Sequence, residues 1–192
     1  RQAFLGSVVA VTGSAGKTTT KNLIAAALAG AGAVHATQGN HNNELGVPMT
    51  LAGLNESHRF GVIEMGAGQP GDIAYLCQLA KPSVAVCLNA SAAHLVNYQS
   101  VDQIASTKGE ILEGLRGEGL AIINADQPWL AQWIQQAGDA RTITFGLSEK
   151  ADYRAINIQY QGLNGTQFDL IASSMVLPVS LRLPGAIQVI NA

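Results

Sequence analysis

The sequence of 192 residues has few cysteines, few aromatic side chains and little charge. It contains 2 cysteines, 5% aromatic residues and 12% charged residues, and its formal net charge is −2. Nucleic-acid phosphates and anionic membranes require concentrated Lys and Arg, so we expect neither as a partner. With 47% hydrophobic residues, the chain is too apolar to be disordered. The composition therefore favours a globular domain that acts on small molecules.

The cysteines and the apolar runs indicate the cellular compartment of such a domain. Cys77 and Cys87 lie in apolar segments without CxxC spacing, which favours buried thiols over a disulfide or a zinc site. This predicts a reducing, cytoplasmic compartment. The longest apolar run, 23–34, is too short to span a bilayer. A first residue other than Met and an abrupt end predict an excerpt of a longer protein.

Short β-branched runs alternate with segments of helical periodicity up to residue 146. Such alternation predicts an α/β fold, a mostly parallel P-loop-type sheet with helices on both faces. After residue 146 three strand-like runs without helices predict a small antiparallel β meander at the C-terminal end, within one domain spanning 1–192. The predicted strands are 7–11, 34–37, 60–65, 84–89, 120–124, 142–145, 153–159, 166–171 and 176–183, and the predicted helices are 17–30, 48–54, 71–80, 101–115 and 128–136.

A glycine-containing loop joins the first predicted strand to the first predicted helix. It reads Thr12-Gly13-Ser14-Ala15-Gly16-Lys17-Thr18-Thr19 and has the GK[ST] ending of phosphate-binding loops. Lys17 is expected to reach the β- and γ-phosphates of a nucleotide, and Thr18 is expected to ligate Mg²⁺. Val11 occupies the place of the first glycine in the full pattern, so the loop is a shortened one. The alternative is a turn that caps a helix, with Lys17 solvated.

Lys108 lies on the apolar face of the predicted helix 101–115. One interpretation is that its stem packs on the core edge while the amine reaches water. The other is that burial lowers the pKa of the amine and makes Lys108 chemically useful near a nucleotide. The sequence alone leaves both open.

Polar residues follow several predicted strands, at the sheet edge where α/β proteins bind ligands. Glu64 is a candidate Mg²⁺ ligand or general base, or one partner of a structural salt bridge. His94 follows the next strand at the same edge. Asn43, with Asn40 and Asn42, belongs to a ligand loop or to a simple turn. Asn124 and Asp126 either bind a base or ribose or cap the next helix.

Together, these motifs resemble those of the Mur ligase family, the ATP-dependent amide ligases of peptidoglycan synthesis. The resemblance covers nearly the whole chain and is greatest for the member that adds D-alanyl-D-alanine to UDP-N-acetylmuramoyl-tripeptide. The segments that carry it are 12–19, 39–43, 46–50, 62–67, 93–95, 108–111 and 124–126.

The resemblance implies the central ATP-binding domain of a monomeric, cytoplasmic three-domain ligase. A separate N-terminal domain would hold the UDP-sugar, and a C-terminal domain would close over ATP and the dipeptide. ATP would phosphorylate the tripeptide carboxylate to an acyl phosphate, which the D-alanyl-D-alanine amine would attack. By this resemblance, Lys17 and the loop amides would bind the γ-phosphate, Thr18 and Glu64 would ligate one Mg²⁺, and His94 would ligate a second Mg²⁺. Lys108 would carry a CO₂-derived carbamate that ligates Mg²⁺. The nucleotide would be lined by Asn43, Asn124 and Asp126.

The sequence departs from the family pattern in two places. A basic residue, His and Asn usually follow Leu-Pro-Gly, whereas 183–185 is followed by Ala186-Ile187-Gln188. Val96 stands where an acidic residue often follows His-Leu. The first change removes polar groups expected near the nucleotide. The alternatives are another Mur-type amino-acid ligase, a folate-type glutamyl ligase, or a nucleotide-binding P-loop module that is not a ligase.

Overall fold

The computed structural model describes residues 4–92, 97–115 and 119–192. Its strands are β1 (Ser7–Thr12), β2 (Val34–Ala36), β3 (Phe60–Glu64), β4 (Val84–Cys87), β5 (Leu120–Asn124), β6 (Arg141–Gly146), β7 (Tyr153–Tyr160), β8 (Thr166–Ala172) and β9 (Met175–Leu181). Its helices are α1 (Lys17–Ala29), α2 (Gly46–Ala52), α3 (Asp72–Ala80), α4 (Val101–Glu113), α5 (Leu130–Ala137) and α6 (Ile187–Asn191).

The described strands form one sheet in the order β2-β3-β1-β4-β5-β6-β7-β8-β9. Pairing is parallel from β2 through to β7 and antiparallel between β7, β8 and β9. The predicted mostly parallel sheet with a C-terminal meander is therefore confirmed. The meander joins the sheet through two parallel residue pairs, Phe145 with Tyr153 and Gly146 with Arg154, so it extends the sheet rather than forming a separate layer.

Helices cover both faces of the parallel strands, as their continuous apolar sequences require. On one face, Ile63 and Ile123 pack in a core that includes Trp133 of α5 and residues of α3 and α4. On the other face, Val11 and Val86 pack against α1. The helix α6 contacts α1 on this second face. The sequence did not predict α6, which is only five residues long.

Both cysteines are free and buried, as the sequence predicted. Burial raises the pKa of the Cys77 thiol to about 12 and raises that of Cys87 further, so neither thiol is reactive near neutral pH. No helix within the described ranges is long and apolar enough to cross a membrane.

The topology brings the carboxyl ends of three strands together. β1 lies between β3 and β4 in the sheet, so the segments that follow these three strands meet at one edge. The strand order also reverses at this place, because the chain adds β2 and β3 on one side of β1 and β4 on the other. Ligands of open α/β sheets bind at such a reversal.

Candidate active site

The loop between β1 and α1 has the geometry of an anion-binding turn. Gly16, directly before α1, has φ 83°, a left-handed conformation that glycine adopts at low cost. A Cβ atom at this position would collide with the side-chain oxygen of Asn191. The first turn of α1 contains no acidic residue, so its amides and the positive end of the helix dipole are available to a phosphate.

Asn89, which directly follows Leu88 after β4, fixes the other half of the loop. Its side chain accepts a hydrogen bond from the Ala15 amide at 2.9 Å and donates one to the Ala15 carbonyl at 3.0 Å. Its backbone carbonyl accepts from the Ser14 amide at 3.0 Å. The amides of Ser14 and Ala15 are thus engaged by Asn89 here. Sequence reasoning missed this residue, although its place at the carboxyl edge of a strand was a usable signal.

Lys17 folds back over the loop. Its ammonium donates a hydrogen bond to the Gly13 carbonyl at 2.9 Å. Burial lowers the pKa of Lys17, and the nearby Glu64 carboxylate opposes that shift. The cation therefore lies at the loop itself rather than in bulk solvent, which argues against the alternative of a helix cap with a solvated lysine.

Glu64 is the buried acid of the site, with 1% of its surface exposed. Its two carboxylate oxygens accept hydrogen bonds from the Thr18 hydroxyl at 2.9 Å and from the Asn42 side-chain amide at 2.8 Å. The ion pair present in the described part of the chain is Arg154–Glu149, so Glu64 takes no part in a structural salt bridge there. A buried carboxylate held by two neutral donors needs a cation nearby, and the structure places the Lys17 ammonium close enough for the two charges to interact.

Lys108 is buried on α4, with 5% exposed, and does not reach out to water. Burial and then the charge of Lys17 lower its pKa to about 8, while Cys87, Glu110 and Asp72 oppose the shift. At pH 7 about one molecule in ten therefore carries the neutral amine, compared with about one in three thousand for an ordinary lysine. The structure shows that this lysine is buried, and its chemical role stays a prediction.

One cavity of about 360 Å³ lies between the phosphate loop and α4. It is lined by Gly13, Ser14 and Lys17 of the loop, by Asn42 and Asn43, and by Lys108. The two lysines come from helices on opposite faces of the sheet and meet at its edge. Asn43 accepts hydrogen bonds from the amides of Leu45 and Gly46 and so shapes the start of α2, while Asn42 is the residue that reaches Glu64.

Two predicted nucleotide residues lie outside the lining of this cavity. The Asn124 amide donates to the Leu88 carbonyl at 2.8 Å, and its oxygen accepts from the Asp126 amide. The Asp126 carboxylate accepts hydrogen bonds from the amides of Leu147 and Ser148 at 2.7 and 2.9 Å. Both side chains fix turns between strands, and their contact with a nucleotide stays a prediction.

Of the remaining predicted site residues, Thr12 and Thr19 are described by the structure and His94 is not. The buried Thr12 hydroxyl donates to the Met65 carbonyl at 2.8 Å and ties β1 to the end of β3. Thr19 is half-buried in the first turn of α1. His94 and Val96 lie outside the described residues, so the predicted second Mg²⁺ ligand stays a prediction.

Asn191 at the end of α6 is the second residue that sequence reasoning missed. Its carbonyl accepts a hydrogen bond from the Thr20 hydroxyl at 3.0 Å, and its side-chain amide donates to Gln188 at 3.2 Å. Its side-chain oxygen is buried against Gly16 and has no hydrogen-bond partner within the described ranges. Gln188, one of the departures from the family pattern, therefore supports a polar side chain beside the phosphate loop. No local sequence pattern links residue 191 to residue 16.

Comparison with known families agrees with this geometry. A family described as the Mur ligase middle domain matches residues 11–192. The chain belongs to the Mur ligase family. The resemblance inferred from the phosphate loop, the Asn-rich loop and Glu64 is thereby confirmed.

Curated relatives in this family are D-alanyl-D-alanine-adding ligases. The UDP-N-acetylmuramoyl-tripeptide–D-alanyl-D-alanine ligase of Escherichia coli (strain K12) is 39% identical over 100% of this chain and 42% of its own length. That of Synechocystis sp. (strain ATCC 27184 / PCC 6803 / Kazusa) is 44% identical over 77% of this chain and 32% of its own length. The chain thus spans about two fifths or less of these Mur ligases.

Solved Mur ligase structures share the fold closely. MurF from Acinetobacter baumannii superposes with a TM-score of 0.93 at 33% identity, over 99% of this chain and 41% of that one. MurF ligase from Thermotoga maritima, crystallised in complex with ADP, superposes with a TM-score of 0.87 at 34% identity, over 98% and 43%.

Proposed function

We propose that this chain is the ATP-binding part of a ligase that joins UDP-N-acetylmuramoyl-tripeptide to D-alanyl-D-alanine in the cytoplasm. The observation that carries the proposal is the cavity in which Lys17 of the phosphate loop faces the buried Lys108, beside the Thr18–Glu64 pair. The names of the curated relatives supply the substrates, and the ADP complex of the Thermotoga maritima ligase supports the nucleotide.

The phosphate loop would bind the nucleotide by charge and by backbone amides. The Lys17 ammonium, now on the Gly13 carbonyl, would turn to the γ-phosphate of ATP, and the open first turn of α1 would add its amides. These groups would offset the charge that develops as the γ-phosphoryl group passes from ATP to the acceptor carboxylate, forming an acyl phosphate and releasing ADP. The neutral amine of the dipeptide then attacks the acyl carbon, inorganic phosphate leaves, and the nitrogen loses a proton to solvent as the amide forms. Such catalysis is mainly positioning and electrostatic stabilisation.

The donor set fits Mg²⁺. The Thr18 hydroxyl and a Glu64 carboxylate oxygen lie 2.9 Å apart at the loop, and oxygen atoms of this kind are the ligands that Mg²⁺ takes. The described residues contain no cluster of three or more His, Cys, Asp or Glu that could hold a metal by themselves. That is typical of Mg²⁺, which binds through one or two protein groups together with phosphates and water. When bound, the ion would offset the negative charge of the phosphates.

Lys108 is suited to carbamylation. The neutral amine attacks the carbon of dissolved CO₂, an N–C bond forms, one C=O electron pair moves to oxygen, and the nitrogen releases a proton to solvent. Burial supports this reaction because it lowers the pKa of the amine to about 8. The product is a carboxylate-like group facing the phosphate loop, where it could serve as a further Mg²⁺ ligand together with His94.

Calorimetric titration of Mg-ATP into the chain in bicarbonate buffer tests the nucleotide site. Saturable binding is expected for the wild type, and Lys17→Ala should lose at least tenfold in affinity. Lys150→Ala should bind like the wild type, because Lys150 is exposed and does not line the cavity. Equal binding by wild type and Lys17→Ala would contradict the proposed site.

The identities of the acceptor carboxylate and of the amine require a separate ligation assay, carried out with a whole protein that contains residues 1–192. Product should form with D-alanyl-D-alanine and not with single amino acids or glutamate. Preference for a single amino acid would instead support another Mur-type ligase, and preference for glutamate a folate-type ligase.

A further inference from the structure

Tyr98 has a buried hydroxyl that the proposed chemistry does not yet use. The residue lies just before α4, with 6% exposed, and its ring belongs to the same core cluster as Ile104. The hydroxyl oxygen is enclosed and has no hydrogen-bond partner within the part of the chain that the structure describes. Enclosed hydroxyls in native proteins are nearly always paired, so a lone one indicates a missing partner.

The position of Tyr98 indicates which partner that is. Tyr98 and Lys108 line the same cavity. Asp72 also lines this cavity, and the charges of Asp72 and Glu110 raise the pKa values of both side chains, so the same two carboxylates act on the hydroxyl and on the amine. Burial contributes most to the raised pKa of Tyr98. The hydroxyl therefore stays protonated at neutral pH and can donate a hydrogen bond.

The neighbouring polar groups are already engaged. Asp72 accepts hydrogen bonds from the amides of Gly68 and Gln69, and Glu110 accepts from those of Gly71 and Ala74. The Thr107 side chain lowers the pKa of Tyr98, but it lies outside hydrogen-bond geometry with the Tyr98 hydroxyl and donates its own proton to the Gln103 carbonyl. The Tyr98 proton is left for a group that enters the cavity.

We propose that Tyr98 is a positioning residue whose hydroxyl donates a hydrogen bond to the carbamate formed on Lys108. This inference rests on the proposed function. Carbamylation replaces a cation by an anion beside Asp72 and Glu110, and both carboxylates disfavour that anion. A neutral donor in the same cavity offsets this repulsion, and its hydrogen bond is strengthened by the charge of the acceptor.

Carbon-13 NMR of the chain in ¹³C-labelled bicarbonate tests the inference without any turnover. The carbamate signal is assigned as the one that Lys108→Ala removes, and its intensity is followed against CO₂ concentration. Tyr98→Phe keeps the ring and should raise the CO₂ concentration for half-occupancy by roughly tenfold, the effect expected for one lost hydrogen bond to a charged group. Tyr160→Phe, the same change at an exposed residue of β7, should leave it unaltered.

Each other outcome counts against the inference in its own way. An unchanged half-occupancy in Tyr98→Phe, with an unchanged melting temperature, overturns it. An equal rise in Thr107→Val shows that the hydroxyl acts through Thr107 and overturns direct donation. The absence of a Lys108-dependent signal in the wild type overturns both the carbamate and the role of Tyr98. The proposed nucleotide site is tested separately, by the titration of Mg-ATP into Lys17→Ala.

Discussion

At the scale of single residues, the backbone at Gly16 permits little change. Its φ of 83° and the adjacent Asn191 oxygen both oppose a side chain. Gly16→Ala should therefore weaken Mg-ATP binding at least tenfold and lower the free energy of unfolding by about 1–2 kcal/mol. Calorimetry and urea unfolding measure the two effects.

The matched control is Gly30→Ala at the other end of α1. Gly30 has an ordinary helical φ of −69°, and the nearest atom to an added Cβ would be the Ala27 carbonyl oxygen at 3.9 Å. This variant should bind Mg-ATP like the wild type. If Gly16→Ala and Gly30→Ala behave alike, neither the left-handed turn nor its contact with Asn191 shapes the phosphate site.

Burial of Lys108 makes its amine more reactive but lowers the free energy of unfolding of the chain. Its pKa is about 8 in the folded chain and near 10.5 when unfolded, so the protonated form is penalised by folding. That penalty is complete below pH 8 and disappears as the pH rises through 10.5. In CO₂-free buffer at pH 7, Lys108→Met should thus raise the free energy of unfolding by about 1–3 kcal/mol.

Denaturant unfolding between pH 7 and 10.5 checks the sign. The advantage of Lys108→Met over the wild type should shrink across the upper part of that range, because the unfolded wild type binds more protons there than the folded one. Lys150→Met, at an exposed lysine, is the control for replacing a lysine by methionine. A constant difference at every pH would contradict the assigned pKa of Lys108.

The site could be predicted from the sequence only where its residues belong to local motifs. Thr18 and Glu64, which are in contact, were found from a loop pattern and a strand end, whereas the helical stripe left the burial of Lys108 open. Asn89 also lies beyond a strand end and was missed, while nothing in the sequence pattern links Asn191 to Gly16, 175 positions away in the chain. The choice of Asn42 over its neighbour Asn43 as the partner of Glu64 depends on side-chain direction, which spacing does not determine.

At the scale of elements, the predictions agree with the structure where the sequence pattern sets the bounds and fail where side-chain or tertiary contacts set them. β5 was predicted with its exact bounds, and α4 was predicted to within two residues. α2 begins at Gly46, two residues before the predicted start at Pro48, because Asn43 accepts a hydrogen bond from the Gly46 amide and starts the helix earlier. α6 has five residues and gains its stability from packing on α1, which sequence periodicity cannot reveal.

Hydrogen bonds between α3 and α4 stabilise the part of the cavity that contains Lys108. Both Glu110 oxygens accept hydrogen bonds from the first turn of α3, from the amides of Gly71 and Ala74 at 2.8 and 3.0 Å. Glu110→Gln removes the charge and one acceptor, so it should cost about 1–2 kcal/mol of unfolding free energy. Glu110 also raises the pKa of Lys108, so the variant should lower that pKa further.

Glu113→Gln is the matched control on the same helix. Glu113 is exposed and accepts a hydrogen bond from the Gln136 side chain at 2.7 Å, so its replacement should cost less than about 0.5 kcal/mol. Urea unfolding of both variants measures the difference. Equal costs would show that the carboxylate of Glu110 does not cap α3.

At the scale of the whole molecule, the site occupies one edge of a continuous sheet. The phosphate loop follows β1, Glu64 is the last residue of β3 and Asn89 follows β4, while the two lysines come from helices on opposite faces. The meander β7–β9 lies at the far end of the strand order and supplies none of the groups described in the cavity. The nucleotide site thus depends on the parallel half of the sheet.

The size of the cavity sets what the chain can do by itself. About 360 Å³ is at the lower limit for a small-molecule site, too small to hold a nucleotide together with a sugar-peptide and a dipeptide. The 192-residue chain should therefore bind Mg-ATP but form ligation product on the order of a thousandfold more slowly than a whole protein that contains it, because the acceptor is not held in line with the phosphate. Assays of ADP and amide product for both proteins, with Lys17→Ala of the whole protein as the inactive control, measure this ratio. Robust product formation by the chain alone would show that this edge of the sheet orients all three substrates without help from any other domain.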